Sequence, residues 1–531
     1  MSRIIKGLFE EEVESCMKEK VLLISIMLYS QYSNSGIDHI AGFLRLNGYT
    51  TDIEYFHEDN SLEEIVDTIS YDYTSFGIYV DIANVDRCIA LANHIKTQTA
   101  SLIWFGGAYV ASCYKNLLED CQGVDYIVLG SGEMPVLHLL KHRVASKMAE
   151  NPYVVSRIST TGKRYNENTV LEYPFAEDYF IRNFEKAALC THCIQSKSNT
   201  CGGNCTFCIN WCIERERLNF RYRSTEAILG EIQRMYSAYG VRHFFFVDDD
   251  LLDPGTQTAK DRIAELCTAI INSGMQITMA GYIKANTLTE CSEDEKLLDL
   301  MYCAGFVSLF VGIESGCSRD LLLFGKQATV EDNERIIPLL YKHNIKPDYE
   351  MIMFHPYTTV NSLKENFKFL TRVQSHNFRH YVMAGVSIYQ NTKLWHQAQK
   401  DGLLARDYTY KNPDRYDFQK AEISEFVYFL KEHFEENDEI NTLVTADRLI
   451  SIYYQFARYV KSVRSLGEIV KKVQKDNFEL MQFIFEPLFM RCDYNECMQR
   501  FDMFVEEYKK QADIIQKLIN KILKLKMLDG K

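Results

Sequence analysis

Three features are missing or scarce in this sequence of 531 residues. No run approaches the roughly 18 consecutive apolar residues of a membrane-spanning helix, which argues against a membrane span. Basic residues are outnumbered, with 59 Lys and Arg against 72 Asp and Glu, so the net charge of -13 disfavours a nucleic-acid partner. The stretch "MSRIIKGLFEEEVESCMKEK" turns acidic before any apolar core, so no secretory signal is recognised and we expect a cytoplasmic protein.

The composition is that of a globular protein, with 47% hydrophobic and 25% charged residues. Its length suits roughly three domains of about 150 residues each. The 16 cysteines should be mostly reduced thiols in the cytoplasm. Clustered cysteines are then more typical of metal ligands than of disulfides.

Residues 1–145 alternate short apolar runs with helical patterns. Five predicted strands with intervening helices indicate an α/β fold with a doubly wound, Rossmann-like parallel sheet. Such a sheet binds ligands at the carboxyl ends of its strands, where glycines let a ligand approach the backbone. The candidate binding positions there are the loop 29–35, Asp81, Gly106, Gly107, Gly130, Gly132 and Glu133. The same glycines would equally suit plain tight turns.

A connector at 146–187, with a hairpin turn at "TTGKRYNENT", precedes a second strand and helix series at 188–405. Six predicted units, the last strand being "HYVMAGVSIY", indicate a partial (β/α)6 barrel with its chemistry at the carboxyl ends of the strands. Residues 406–531 predict a helical domain. Its basic amphipathic end, "IIQKLINKILKLKM", could lie on a membrane surface, but a packing helix is the favoured interpretation.

The stretch "NTCGGNCTFCINWC" follows the first predicted barrel strand. One interpretation is a zinc ribbon that pairs Cys190 and Cys193 with Cys205 and Cys208. The other takes Cys201, Cys205 and Cys208 as ligands of a four-iron four-sulfur cluster, which leaves one iron open to a chelating molecule. The C-x3-C-x2-C spacing places all three ligands in one loop and favours the cluster.

Here "CGGNCTFC" resembles the signature loop of the radical S-adenosylmethionine (radical SAM) enzymes. "RYRSTEAILGEIQRMYSAYGVRHFFFVDDDLL", "FVGIESGCSRDLLLFGK" and "SIYQNTKLWHQAQKDGLL" resemble the subgroup that carries an amino-terminal cobalamin-binding domain. In the predicted amino-terminal domain (residues 1–145, called the front domain below), "WFGGAYV" and "VDYIVLGSGE" resemble the loops at the sheet ends of that subgroup. The resemblance covers about residues 20–405. It implies a 4Fe-4S cluster, S-adenosylmethionine and cobalamin as cofactors.

The resemblance also implies residue roles. Asp248 and Asp249 would receive the ammonium of S-adenosylmethionine, and carboxylates suit that charge. Glu314 and Ser315 resemble ribose or methionine contacts, and Phe207 would pack beside the cluster or the adenine. The glycine loops of the front domain and Glu133 would then contact cobalamin.

The sequence departs from the family pattern in two places. It has "FHPYT" where the family often has a "GLPGE"-like turn, and His355 in that segment is interpreted as structural. The front domain lacks D-x-H-x-x-G, because Asp38 and His39 are adjacent, so His39 is not expected to bind cobalt. Members of the subgroup commonly dispense with that histidine.

The leading function implied is methylation of an unactivated carbon of a peptide or small metabolite, using a 5'-deoxyadenosyl radical and methylcobalamin. The alternative is a radical SAM enzyme with an empty cobalamin domain that catalyses epimerisation, cyclisation or cross-linking, in which Cys303 or Cys317 could return hydrogen. A third alternative is a non-catalytic zinc-ribbon protein. The enzyme readings imply an electron donor such as flavodoxin or ferredoxin.

Overall fold

A computed structural model describes residues 19–28, 32–142, 151–159, 161–163, 174–198, 201–213, 220–382, 385–435, 441–458 and 460–529. These residues form two compact units, one within 1–182 and the other, apart from short segments at 31–33 and 166–172, within 183–531. The predicted barrel and helical segments fall in the same unit. The predicted four-segment division stays a prediction. The predicted turn at 160–169 lies largely outside the described residues, as do positions 29–31 of the predicted ligand loop.

The first unit is built on a six-stranded sheet of order β2-β1-β3-β4-β5-β6. Its strands are β1 (Lys20–Met27), β2 (Thr50–His57), β3 (Ser75–Tyr79), β4 (Leu102–Gly106), β5 (Tyr126–Val128) and β6 (Val154–Val155). The first five are parallel, as predicted, and the short β6 is an antiparallel addition to β5. The helices are Ser35–Leu46, Leu62–Thr68, Val85–Gln98, Val110–Asp120, Glu133–Lys141 and Asp178–Arg182.

Local sequence explains these elements. The apolar run of β1 is buried almost throughout, as expected for a central parallel strand. Ser61 begins the second helix with a capping box, in which Glu64 returns the hydrogen bond to the cap. Gly77 of β3 lies under the Trp104 ring of β4, where a Cβ would come within 2.2 Å of that ring. The tryptophan can therefore pack flat in the core.

The second unit contains a parallel sheet of order β11-β10-β9-β8-β7. Its strands are β7 (Thr191–Ile194), β8 (His243–Phe246), β9 (Thr278–Lys284), β10 (Phe306–Glu314) and β11 (Lys346–Met351). The intervening helices are Thr225–Tyr239, Gln257–Ser273, Ser292–Ala304, Ser318–Leu323, Val330–Lys342, Val360–Arg372 and Lys393–Lys400. The partial barrel was predicted from the alternation of these elements.

The position of the predicted sixth strand differs from the expectation. Arg379–Val382 form a helical turn, and Gly385 makes a single parallel bridge to Phe354. Residues 383–384 lie outside the described part of the chain. A short apolar run does not by itself distinguish a strand from a short helix. For this reason the pattern predicted a strand here.

The carboxy-terminal helices include Ala421–Leu430, Asn441–Ala457, Lys461–Arg464, Gly467–Arg491 and Tyr494–Asp529. On the last helix, Ile515, Ile519 and Ile522 are buried in one cluster with Leu449 and Ile450. The amphipathic end is therefore a packing helix, the favoured interpretation. Among the residues that the structure describes, no helix is both long enough and apolar enough to cross a bilayer.

Candidate active site

The cysteine loop leaves the carboxyl end of β7 in the second unit. Cys201, Cys205 and Cys208 are all free and partly exposed. Burial raises the pKa of the Cys201 thiol to about 11 and that of Cys208 to about 12. Such thiols stay protonated at neutral pH until a metal displaces the proton, so metal binding here releases protons.

The backbone of the loop passes close to two of the candidate cluster sulfurs. The Gly203 amide donates to the Cys201 sulfur at 3.2 Å. A Cβ on Gly203 would lie 3.2 Å from the Cys201 sulfur and 3.9 Å from that of Cys205, so the backbone runs close past both. No three His, Cys, Asp or Glu side chains in the described ranges are placed to hold a single metal ion. A four-iron cluster instead takes each thiolate on a different iron.

One side of the cysteine loop is anchored through Thr206. Its amide and hydroxyl donate to the carbonyls of Phe324 and Leu323, each at 2.9 Å, and its carbonyl accepts from the Leu394 amide at 2.9 Å. The Phe207 ring meets the Phe324 ring edge-on at 5.6 Å. Phe207 therefore packs on the helix that follows β10, which holds the loop between two segments of the barrel.

The other side of the loop is tied to the acidic segment after β8. The Gly202 amide donates to Oδ2 of the fully buried Asp253 at 2.7 Å. The other oxygen of Asp253 pairs with Lys284, the last residue of β9, which also lies 3.1 Å from Asp250. Burial disfavours the charge of Lys284, but these two carboxylates raise its pKa overall. The cysteine loop is thus fastened to β9 through a buried ion pair.

Asp248 and Asp249 face different surroundings. Asp248 is buried and accepts hydrogen bonds from the Ser196 amide at 3.0 Å, the Ser196 hydroxyl at 2.6 Å and the Lys197 amide at 3.1 Å. Its carboxylate shapes the chain before the cysteine loop and does not fit the predicted contact with a ligand. Asp249 is exposed. Burial is the main cause that raises the pKa of Cys201 and Cys208, and the negative charge of Asp249 adds to the rise. Asp249 therefore lies near those two sulfurs.

Glu314 ends β10 in a strained backbone conformation. Its φ of 64° lies in the left-handed region, at a register shift against β11. Its Oε1 lies 3.2 Å from the ammonium of Lys326. Gly312 makes room for that lysine, because a Cβ there would lie 2.8 Å from Nζ. The charge of Lys326 opposes the effect of burial on the pKa of Cys205, which places it near the second cysteine.

Ser315, the next residue, is fully buried, whereas Glu314 is partly exposed. The Ser315 hydroxyl donates to Asn366 Oδ1 at 2.9 Å and accepts from the Cys317 amide at 3.0 Å. The hydroxyl supports the turn after β10, so the predicted ribose or methionine contact does not fit it. His355 is also fully buried, 3.3 Å from Asp320, in agreement with its structural interpretation.

In the first unit the parallel strands lie in the order 2-1-3-4-5, so the chain moves outward from β1 to one side for β2 and to the other side for β3. A sheet of this kind binds its ligand at the carboxyl ends of the two strands where the direction changes, here β1 and β3. Asn84 joins the two ends, since its amide donates to the Ile26 and Tyr79 carbonyls at 3.0 and 3.4 Å.

The predicted glycine positions lie at the neighbouring ends of β4 and β5. Gly107 has φ +123°, and a Cβ would come within 2.5 Å of the Val80 carbonyl. A Cβ on Gly132 would meet Ile40 at 2.6 Å, whereas Gly106 has open space to 3.7 Å. Gly130 has φ +92°, and Glu133 is buried at the start of a helix. Packing against the backbone therefore already requires glycine at 107, whereas at 132 the Ile40 side chain could move aside.

Sequence reasoning missed Asp253, Lys284 and Lys326. Lys284 and Lys326 each lie beside one cluster cysteine and pair with a carboxylate. Lys284 could have been found, because a lysine closing a predicted barrel strand stands where the chemistry belongs. Lys326 follows a helix, and nothing in its local pattern indicates that it folds back over Gly312.

The sequence profile of the Radical SAM superfamily matches residues 196–370. This stretch includes the cysteine loop, the acidic segment after β8 and the end of β10. The chain contains a radical SAM domain. Such a domain implies a 4Fe-4S cluster and S-adenosylmethionine as cofactors, and an external electron donor. The family prediction is confirmed, and the match decides against the zinc-ribbon alternative.

The chain is similar in sequence to several proteins with assigned names. The chain is 23% identical over 355 residues to anaerobic magnesium-protoporphyrin IX monomethyl ester cyclase of Rubrivivax gelatinosus, covering 62% of this chain and 60% of that protein. It is 23% identical over 392 residues to an uncharacterised methyltransferase of Pyrococcus horikoshii, covering 71% and 82%. The chain spans only 43% of the corresponding Cereibacter sphaeroides cyclase.

Solved structures resemble more of the chain than the radical SAM domain. OxsB, a cobalamin-dependent S-adenosylmethionine radical enzyme, matches with a TM-score of 0.68 at 16% identity, over 96% of this chain and 81% of that chain. TsrM, a radical S-adenosylmethionine methyltransferase of Kitasatospora setae, matches with a TM-score of 0.53 at 16% identity, over 68% and 71%. At such identities the likeness concerns the fold. It confirms the predicted α/β architecture.

Proposed function

We propose that this protein is a cobalamin-dependent radical SAM enzyme that methylates an unactivated carbon of a peptide or small metabolite. The observation that carries the proposal is the joint presence of a three-cysteine loop at the barrel's carboxyl end and of a parallel sheet with strand order 2-1-3-4-5 earlier in the same chain. When bound, the cluster and S-adenosylmethionine supply a radical that abstracts hydrogen, and cobalamin supplies the methyl group. OxsB and TsrM, whose structures hold cobalamin, support the reading by fold.

A second candidate function keeps the radical SAM chemistry without cobalamin. The packing around Gly107 favours it, because a Cβ there would meet the Val80 carbonyl, which accounts for this glycine without any ligand. The reaction would then be an epimerisation, cyclisation or cross-linking. Cys317 is a poor hydrogen donor in that case, since it is 2% exposed, whereas Cys303 is exposed.

The residue roles follow from position. Cys201, Cys205 and Cys208 would hold the cluster, while the exposed Asp249 would receive the ammonium of S-adenosylmethionine. Glu314 would contact the ribose or methionine from the end of β10, held by Lys326. Asp248 and Ser315 would hold the turns that carry Asp249 and Glu314. We further propose a cytoplasmic location and flavodoxin or ferredoxin as the electron donor.

Asp249→Asn is expected to weaken the binding of S-adenosylmethionine. Losing one charge-assisted hydrogen bond costs about 1.5 to 3 kcal/mol, or roughly a 10- to 100-fold rise in the dissociation constant. Calorimetry on the anaerobic, reconstituted protein measures it. Iron content should stay at the wild-type value, since Asp249 contacts no part of the loop's anchors.

Asp248→Asn is the matched control. It should lower thermal stability, because each of the two buried carboxylate oxygens accepts a backbone amide, and one of them must become an NH2 donor. An unchanged affinity in Asp249→Asn would remove the ammonium contact from this strand end.

Cobalamin binding decides between the two candidate functions and needs no substrate. Protein reconstituted with excess cobalamin should keep it through desalting, and the reduced protein should then convert S-adenosylmethionine to S-adenosylhomocysteine. Gly107→Ala should lose most of the cobalamin and this activity, because its Cβ forces the ends of β3 and β4 apart. Visible absorbance and chromatography provide the two readouts.

Gly230→Ala is the matched control, because Gly230 lies on the helix Thr225–Tyr239, away from the predicted cobalamin positions, and its Cβ would meet nothing within 4 Å. It should retain the cobalamin, and circular dichroism should show that both variants are folded. Wild-type protein that keeps no cobalamin and forms no S-adenosylhomocysteine would establish the second candidate instead.

A further inference from the structure

The interior of the barrel can be described level by level from strand register. Tyr282 of β9 stands opposite Phe310 of β10, and Phe310 stands opposite Asp348 of β11. Side chains alternate between the two faces of a strand, so residues two apart share a face. Val311 and Ile313 on the opposite face are fully buried. The face of Tyr282, Phe310 and Asp348 is therefore the barrel interior.

The middle level of this interior carries a row of aromatic side chains. The Phe245 and Tyr282 rings meet edge-on at 5.2 Å, and the Tyr282 and Phe310 rings meet at 5.3 Å. All three side chains are partly exposed. Their faces offer a surface for an apolar or cationic group of a ligand.

The charged side chains around this row pair with one another. Above it, Lys284 pairs with Asp250 and Asp253. Below it, Lys346 pairs with Asp348 and lies 3.3 Å from Asp447 of the helix Asn441–Ala457. These pairs neutralise the charges at the two ends of the interior.

Glu350 is the exception. It lies on β11, two residues after Asp348, and so faces the same interior. Its side chain is exposed, and within the described ranges it forms neither a hydrogen bond nor an ion pair. The charge of Arg379 acts on Glu350, but the two side chains form no ion pair. Among the described residues, Glu350 is therefore a carboxylate of the interior that lacks an ion-pair partner, beside an aromatic row.

We propose that Glu350 binds a cationic nitrogen, an ammonium or guanidinium, on the substrate of this enzyme. The proposal rests on the function proposed above, because it assigns the class of substrate that the barrel admits. A carboxylate without a counter-ion gains most from a ligand that brings a positive donor group. The aromatic row would pack against the carbon chain that carries it. The substrate class is therefore amine-bearing, either a basic side chain of a peptide or a small amine.

Calorimetry on the reconstituted holoprotein with S-adenosylmethionine tests the inference. The probes are N-acetyl-lysine methylamide for a peptide side chain, agmatine for a small amine, and neutral N-acetyl-norleucine methylamide as the isostere. At least one cationic probe should bind more tightly than the neutral one. Glu350→Gln should weaken that probe about 10- to 100-fold and leave the neutral probe unchanged.

Glu425→Gln, a change of an exposed glutamate on the outer helix Ala421–Leu430, is the matched control and should bind all probes like the wild type. Equal binding of cationic and neutral probes, or a Glu350→Gln variant that keeps the preference, would overturn the inference. The experiment separates a failure of this inference from a failure of the proposed function. If the protein prefers the cationic probes but forms no S-adenosylhomocysteine, only the proposed methylation is rejected. If it forms S-adenosylhomocysteine but shows no preference for the cationic probes, only the role of Glu350 is rejected.

Discussion

Replacing Cys201, Cys205 and Cys208 together by alanine is expected to abolish the bound iron and all cleavage of S-adenosylmethionine. The three sulfurs come from one loop, and the Gly203 backbone runs close past two of them. Without these three thiolates the stretch keeps only Cys212, and a single thiolate does not hold a four-iron cluster. Iron and sulfide analysis with electron paramagnetic resonance of the anaerobic, reduced protein provides the measurement, and chromatography detects 5'-deoxyadenosine.

Three neighbouring cysteines provide the controls. Cys190→Ala, Cys193→Ala and Cys212→Ala should each keep the full iron content. Cys190 is buried and its thiol donates to the Lys186 carbonyl, while the Cys212 thiol donates to the Ile209 carbonyl at 2.9 Å. Iron retained by the triple variant, or lost in Cys190→Ala, would contradict the cluster assignment.

Asp253→Ala is expected to have the second largest effect. The side chain is fully buried, accepts from the Gly202 amide and pairs with Lys284. Removing one partner of a buried ion pair costs about 3 to 5 kcal/mol of the free energy of unfolding. The cysteine loop also loses its link to β9. Chemical unfolding and iron content after desalting should both fall.

Asp253→Asn separates the two contributions. It keeps an oxygen for the Gly202 amide but loses the negative charge beside Lys284, so its iron retention should lie between Asp253→Ala and the wild type. The matched control is Asp249→Ala, an exposed aspartate in the same segment, which should unfold like the wild type. Wild-type stability and iron in Asp253→Ala would show that the loop is held by Thr206 alone.

The carboxy-terminal helices contribute to the barrel in a way that composition did not indicate. Asp447 and Ser451, on the helix Asn441–Ala457, lie 3.3 and 2.8 Å from the Lys346 ammonium at the start of β11. The His243 ring of β8 meets the Phe456 ring of the same helix at 5.6 Å. This helix therefore covers the amino-terminal end of the barrel, opposite the cysteine loop.

Much of the fold was predictable because it depends on local pattern. Short apolar or alternating runs bounded by turns predicted the five parallel strands of the first unit and the first five strands of the barrel, because strand pattern is local. The sixth was mispredicted at Arg379–Val382, where tertiary packing selected a helical turn over a strand. The C-x3-C-x2-C spacing favoured a cluster loop over a zinc ribbon, and the Radical SAM match over residues 196–370 includes this loop.

By itself, the sequence determined the order of strands and helices, the three clustered thiols and the acidic end of β8, because these follow from residue type and short-range spacing. Only the tertiary structure decided that Asp248 turns inward while Asp249 stays exposed, and that Lys326 folds over Gly312 toward Glu314. Which of two adjacent carboxylates faces a site depends on the backbone of the turn and on partners far along the chain. The pairing of Asp253 with Lys284 joins residues from two strand ends, and neither local pattern encodes the other.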